Sequence, residues 1–213
     1  DLQPAGAAIV GVCEVENSSP LDDLLREKAL ARRGWKYIHR ESKDSRGIDC
    51  ALLYNPKEFH PTTTQLVPYK NSGGSRHRTR GFLVVGGTFA GEQIHIIVNH
   101  WPSRYSKSPS RERAATQVKA LKDSIVRLHP DTKMIIMGDF NDNPMSYTYY
   151  RLTRGRKDSF MEAGSGFGST FSFLWPMLRI DYILFPDFCE GAAHEVIRLP
   201  YSDHYPVVAE VKM

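Results

Sequence analysis

Acidic, amide and imidazole side chains recur just past the ends of apolar runs in this chain. Glu14 follows Ala8-Ile9-Val10-Gly11-Val12-Cys13, and Asn99 and His100 follow the run 94–98. Asp139 and Asn141 stand in Gly138-Asp139-Phe140-Asn141, directly after 133–137. Asp181 sits inside Arg179-Ile180-Asp181-Tyr182-Ile183-Leu184, and Asp203 and His204 precede the last apolar run in Ser202-Asp203-His204-Tyr205-Pro206-Val207. Carboxylates are hard oxygen ligands suited to Mg²⁺ or Mn²⁺, and imidazoles move protons near neutral pH. Strand ends are where rigid scaffolds present such groups into a cleft. Taken singly, each has a bland reading as a turn carboxylate, a cap or a hydrogen-bonded histidine. Asp181 resists that reading, because a carboxylate within an apolar strand must find a partner or bear its desolvation. The case therefore rests on the set.

The elements that must position these groups alternate short apolar runs with two clear helices. Strands are expected at 8–13, 48–54, 81–85, 94–98, 133–137, 180–185 and 205–211. The first helix carries Leu21, Leu24, Leu25, Ala29 and Leu30 at helical spacing, with Ser19 as cap, Pro20 in the first turn and Asp22 at capping-box distance; Gly34 closes it. The second, from about Arg111 to Leu128, is capped by Ser110 and carries Ala114, Ala115, Val118, Leu121, Ile125 and Leu128 as one stripe. Segment 70–80 reads as a polar Gly- and Arg-rich loop. Strands outnumber helices, which gives a mixed α/β protein of one domain over residues 1–213.

Composition sets loose bounds. With 213 residues the chain can bury one sizeable core, and 41% hydrophobic with 24% charged residues is an ordinary globular balance. No apolar run reaches the roughly 20 residues of a membrane-spanning helix. A net charge of +4 permits an anionic substrate without demanding one. Cys13, Cys50 and Cys189 have no metal-ligand spacing, and the two of them that lie in apolar runs read as buried thiols.

The ordered set of motifs resembles the endonuclease/exonuclease/phosphatase superfamily. Val12-Cys13-Glu14-Val15, Asn99-His100-Trp101-Pro102, Gly138-Asp139-Phe140-Asn141, Asp181-Tyr182 and Ser202-Asp203-His204-Tyr205-Pro206-Val207 match that family's motifs in sequence order, over nearly the whole chain. The resemblance implies a DNase I-like α/β four-layered sandwich, two mixed β-sheets face to face with helices outside. It also implies a strand carrying an Asn ahead of the first residue here, so the domain is expected to lack its N-terminal strand.

Phosphodiester cleavage needs an activated water in line, charge relief on phosphate and help for the leaving oxygen. By resemblance, Glu14 is the chief ligand of Mg²⁺ (or Mn²⁺), and Asp203 binds the same or a second ion. His204 is the general base, oriented by Asp181. Asp139 positions water or metal, while Asn141 donates a hydrogen bond to phosphate. His100 is a second imidazole near the leaving group, with Asp49 expected to orient it. Arg80 and Thr170 are candidates for contact with the substrate phosphate.

For substrate, Asp181-Tyr182 and Gly138-Asp139-Phe140-Asn141-Asp142-Asn143-Pro144 fit poorly with inositol 5-phosphatases, and His100 stands where AP endonucleases usually have Tyr. The pattern looks like the bacterial, often exported, nuclease-like members, which carries the expectation of a nucleic-acid substrate and of export. Arg76, Arg78, Arg80, Arg104, Lys107, Arg111 and Arg113 could track phosphates, and Trp101, Tyr105 and Trp175 could stack bases. The alternatives are a sphingomyelinase-like lipid or small-molecule phosphodiesterase, favoured if 173–178 forms an exposed apolar patch, and a non-catalytic binding module. No stable protein partner is implied.

Overall fold

The computed structural model describes residues 6–71, 79–106, 108–172 and 178–213. Its strands are β1 (Ile9–Val15), β2 (Lys36–His39), β3 (Asp49–Tyr54), β4 (Phe59–Val67), β5 (Phe82–Phe89), β6 (Glu92–His100), β7 (Lys133–Asp139), β8 (Arg156–Asp158), β9 (Asp181–Pro186), β10 (Glu190–Val196) and β11 (Val207–Lys212). The helices are α1 (Ser18–Arg26), α2 (Lys28–Ala31), α3 (Ser108–Leu128), α4 (Tyr147–Thr153) and α5 (Ser159–Ala163).

A six-stranded sheet, ordered β4-β5-β6-β7-β9-β8, is mixed, its one parallel pair being β6 with β7. The crossover between those two strands is α3, the long connection that parallel strands require. A three-stranded antiparallel sheet, β1-β3-β2, packs on one face of it. Leu52, Phe59, Leu83, Val85, Ile94, Ile96 and Val98 fill the space between the sheets. On the opposite face Val84, Ile97, Met134, Ile136 and Leu184 meet Ala114, Ala115 and Val118 of α3. A third cluster, Leu21 with Trp35, Ala51 and Leu53, seats α1 on the outer face of the small sheet. The layers are thus helix, sheet, sheet, helix, the sandwich implied by the motifs.

β6 shows why an apolar run rather than an alternating one marks the central strands. From Ile94 to His100 every residue is buried, because core lies on both faces. Each fully buried Ile or Val there contributes about 1.5–3 kcal/mol of transfer free energy. Edge strand β4 reads FHPTTTQLV and escapes an apolar search, since it pairs only with β5 and carries Pro61.

Four local expectations are corrected. Asn17, not Ser19, caps α1: its side chain accepts from the Ser19 backbone N–H at 2.8 Å. The first helix also breaks at Glu27, whose ψ of 133° is extended. Leu25 and Leu30 lie about 140° apart on an unbroken helix; the break lets both reach the Trp35 cluster. Gly34 does close the segment, with φ +66°. Ser110 lies inside α3, which already begins at Ser108, and Leu128 is exposed rather than part of the packed stripe.

Candidate active site

Strand register places three functional residues in one row. His100 on β6 is the partner of Asp139 on β7, and Asp139 is the partner of Asp181 on β9. Two residues earlier along the same strands stand Val98 and Met137, which belong to the intersheet core. Side chains two apart share a face, so the row lies on the inner face, where the core gives way to polar groups.

Asp139 is buried and faces another carboxylate across the strand pair. Burial first, then the charge of Asp181, pushes its carboxyl up to about 8. Asn141 offsets part of this: its backbone N–H donates to Asp139 Oδ1 at 2.7 Å and its Nδ2 to Oδ2 at 2.6 Å. Asn141 also donates to the Trp101 carbonyl at 3.1 Å, from a left-handed backbone with φ +50°. Such a conformation is uncommon outside glycine, though Asn tolerates it. The Asn141 amide donors are therefore spent on Asp139 and Trp101 rather than aimed outward at a phosphate. Gly138 makes the row possible. With φ +120° it lies against the Asn99 backbone, which a Cβ would strike.

His204 comes from the loop before β11 and pairs with Asp181. Its Nδ1 donates to Asp181 Oδ2 at 2.9 Å and lies 3.1 Å from Oδ1. Burial alone would depress this imidazole, but the hydrogen bond and charge of Asp181, with the charges of Asp139 and Asp203, raise it to about 9. Thr170 supports the pair. Fully buried, its Oγ1 accepts from the Ile180 and Asp181 N–H groups at 3.0 and 3.1 Å, and its carbonyl accepts from Tyr205 N–H at 2.7 Å. It fixes the dyad from behind and offers nothing to a substrate phosphate.

Across the row, His100 Nε2 lies 3.5 Å from Asp139 Oδ2 and 3.8 Å from Glu14 Oε1. Burial, then the positive charges of Arg80, Arg46 and His204, lower this imidazole to about 2, so it is neutral at physiological pH. Glu14 reaches the site through an irregularity in β1. The register with β3 shifts between Val12 and Val15, and Glu14 adopts φ +60°. A β-bulge re-aims a side chain at the strand end, and here it leaves the carboxylate 60% exposed beside His100.

Other expected roles do not hold either. Asp49 does not orient His100: its Oδ1 accepts from Ser42 N–H at 3.0 Å, its Oδ2 lies 3.5 Å from His39 Nε2, and His100 Nδ1 is buried without a hydrogen-bond partner. Alternation along β3 decides this, because it sets Asp49 on the outer face with Ala51 and Leu53, away from the inner row. Nor is Arg80 presented to a phosphate. Its guanidinium is buried, donating to the His100 and Trp101 carbonyls at 2.9 Å each and facing Asp44. It holds the β6 terminus in place, and Asp44 with it is the pair that sequence reading missed. Trp101 is likewise core, stacked on Phe140 at 4.6 Å and 18°, rather than a base platform. Arg111 is buried against Asp142 at 3.6 Å. Arg76, Arg78, Lys107, Trp175 and the 173–177 part of the apolar patch lie outside the described residues.

Among the described residues, Asp139, Asp181 and His204 form a group whose ligand atoms all lie within 4.8 Å of one another. Glu14 and Asp203 stand outside that group, Glu14 across His100 from Asp139 and Asp203 exposed beside His204. Two of the three donors are hard carboxylate oxygens and the third an imidazole nitrogen, and the cluster holds more carboxylate than its buried cations balance; Asp139 answers by keeping a proton. A divalent cation fits that chemistry.

Residues 2–172 match the family described as Endonuclease/Exonuclease/phosphatase family. Among solved structures, the chain is similar to a mannosyl-6-phosphatase of Bacteroides thetaiotaomicron, with TM-score 0.77, 19% identity, and 97% of this chain and 85% of that one covered. It is similar to truncated TDP2 of Caenorhabditis elegans, with TM-score 0.72, 19% identity and 98% and 86% covered. The human nocturnin catalytic domain with bound sulfate gives TM-score 0.75, 17% identity and 96% and 80% covered. No curated protein matches the sequence. With three of the five motif segments falling within the matched span, and the fold shared across nearly the whole chain, this protein belongs to the endonuclease/exonuclease/phosphatase family of phosphoesterase hydrolases.

Proposed function

We propose that the chain is a divalent-metal-dependent phosphodiesterase acting on nucleic acid by in-line attack of water. The observation that carries this is the His204–Asp181 dyad at 2.9 Å, set beside buried Asp139 with Glu14 at the mouth. Glu14 is the ligand best placed to meet an ion from solvent, with Asp139 and Asp203 on either side of His204. When bound, Mg²⁺ or Mn²⁺ supplies charge relief on a phosphoryl oxygen and acidifies a coordinated water.

The chain's own residues do the rest. Asp181 keeps His204 in one orientation, with the Nδ1 proton toward the carboxylate and Nε2 toward the reacting water. At about 9 the imidazole holds its proton too tightly to act as a base at neutral pH. Offsetting the charge of Asp203 removes one of the charges that raise it, which brings His204 toward the working range. Neutral His100 can donate one hydrogen bond to an oxygen of the phosphate but cannot deliver a proton to it as an imidazolium.

Nucleic acid is favoured by what stands free at the rim. Arg104 is exposed, and Tyr105, on the loop after His100, is fully exposed, so a base can stack there. A second reading, lipid or small-molecule phosphate ester hydrolysis, draws on Met145 and Tyr147, exposed just past Asn141. Among the described residues no helix is long and apolar enough to cross a membrane. The test is Mg²⁺- and Mn²⁺-dependent turnover of single- and double-stranded DNA, abasic DNA, RNA, sphingomyelin, inositol phosphates and mannose 6-phosphate. Nucleic-acid cleavage abolished by EDTA and by His204→Ala supports the proposal. Turnover confined to lipid or sugar phosphates would replace the substrate, and no metal-stimulated turnover of any of them would refute it.

A further inference from the structure

One charged group at the site mouth has no place in the chemistry above. Arg46 Nη2 lies 3.8 Å from Glu14 Oε1, the same oxygen that stands 3.8 Å from His100 Nε2. Its charge is felt deeper in the site, where it helps to lower both His100 and Arg80. The side chain is half-exposed, but its backbone is not free to drift. Asp44, its own side chain 3% exposed, accepts from the Arg46 backbone N–H at 2.8 Å through Oδ1 and from the Arg80 N–H at 3.1 Å through Oδ2. Gly47, with φ +67°, then turns the chain back into β3. The fold thus spends a buried carboxylate on holding an arginine over Glu14.

Resting on the metal-dependent reading above, we propose that Arg46 is a phosphate-binding residue and the rival of the divalent ion for Glu14. Guanidinium and ion both seek Glu14 Oε1. When the ion takes that oxygen, Arg46 loses its carboxylate while its backbone stays fixed at the mouth. Its planar, permanently charged fork is then left to pair with a non-bridging oxygen of the substrate phosphate beside His100. Two consequences of opposite sign follow, which a merely structural arginine would not produce. Removing the guanidinium makes the ion easier to bind and the phosphate harder to bind.

The test uses the full chain and two probes, Mn²⁺ alone and inorganic phosphate added to the Mn²⁺-loaded protein, each titrated calorimetrically at low salt. Wild type is compared with Arg46→Gln, Arg46→Lys and Glu14→Gln. An ion pair this exposed is weak, so Arg46→Gln is expected to tighten Mn²⁺ by about two- to fivefold. A lost charge-assisted contact weakens phosphate by roughly tenfold or more. Arg46→Lys, which keeps the charge without the fork, falls between on both titrations. Unchanged or weaker Mn²⁺ binding by Arg46→Gln, or unchanged phosphate binding, overturns the proposal even if wild type binds Mn²⁺ and Glu14→Gln does not. If wild type binds no Mn²⁺, the metal-dependent reading falls first and this one with it.

Discussion

Replacing Asp181 by Asn keeps the shape of the dyad and removes its charge. In the wild type His204 is held up to about 9 despite burial, chiefly by the hydrogen bond and charge of Asp181. A rise from 6.5 to about 9 corresponds to roughly 3 kcal/mol of preference for the protonated form. The imidazole is 31% exposed, and Asp139 and Asp203 remain in the variant, so about 1–2 kcal/mol is the working figure after solvent screening. The assay is an NMR titration of the His204 ring in EDTA-treated protein, with folding stability measured by urea at the same pH values. Wild-type His204 should titrate near 9, and that of Asp181→Asn at or below the ordinary range, since burial then acts with less opposition. A raised histidine stabilises the fold fully below its unfolded value of 6.5 and loses that contribution as pH climbs through about 9. Asp139, held up to about 8, acts with the same sign in a lower window, its contribution fading as pH rises from about 4 to 8. Between pH 8 and pH 10 the wild type should therefore lose about 1 kcal/mol more than the variant, the raised thiols of Cys13 and Cys189 being common to both. Titration of the two proteins within about half a unit of each other would refute the assignment of the shift to Asp181.

Thr170→Val removes the acceptor for two buried N–H groups, so stability should drop by about 2–4 kcal/mol in denaturant melts. Because it also loosens Asp181, kcat should fall while KM changes little. Arg80→Met strands the buried Asp44 carboxylate and frees the His100 and Trp101 carbonyls, at a cost of about 3–5 kcal/mol by the same measurement. If the folded variant instead lost phosphate affinity with stability intact, Arg80 would be a substrate contact after all.

The sequence by itself determined the parts of this protein whose signal is local. Apolar runs such as 94–98 mark buried strands, the α3 stripe marks a packed helix, and the motif order from Glu14 to His204 identifies the chemistry and the fold, because each type of residue is demanded where it stands. Weakly patterned pieces escaped: the polar edge strand β4, strand β10, and α4 and α5, which a few residues and a Ser146 or Asp158 cap suffice to form. What only the tertiary structure decided is which groups face one another. Register across β6, β7 and β9 set His100, Asp139 and Asp181 in one row, and a bulge in β1 turned Glu14 toward them. The same long-range packing sent Asp49 to His39, buried Arg80 behind His100 and left Arg46, 32 residues from Glu14 in sequence, over its carboxylate. Residue type is written one position at a time. A pairing between distant residues is an energy of two positions at once, and only the folded register brings them together.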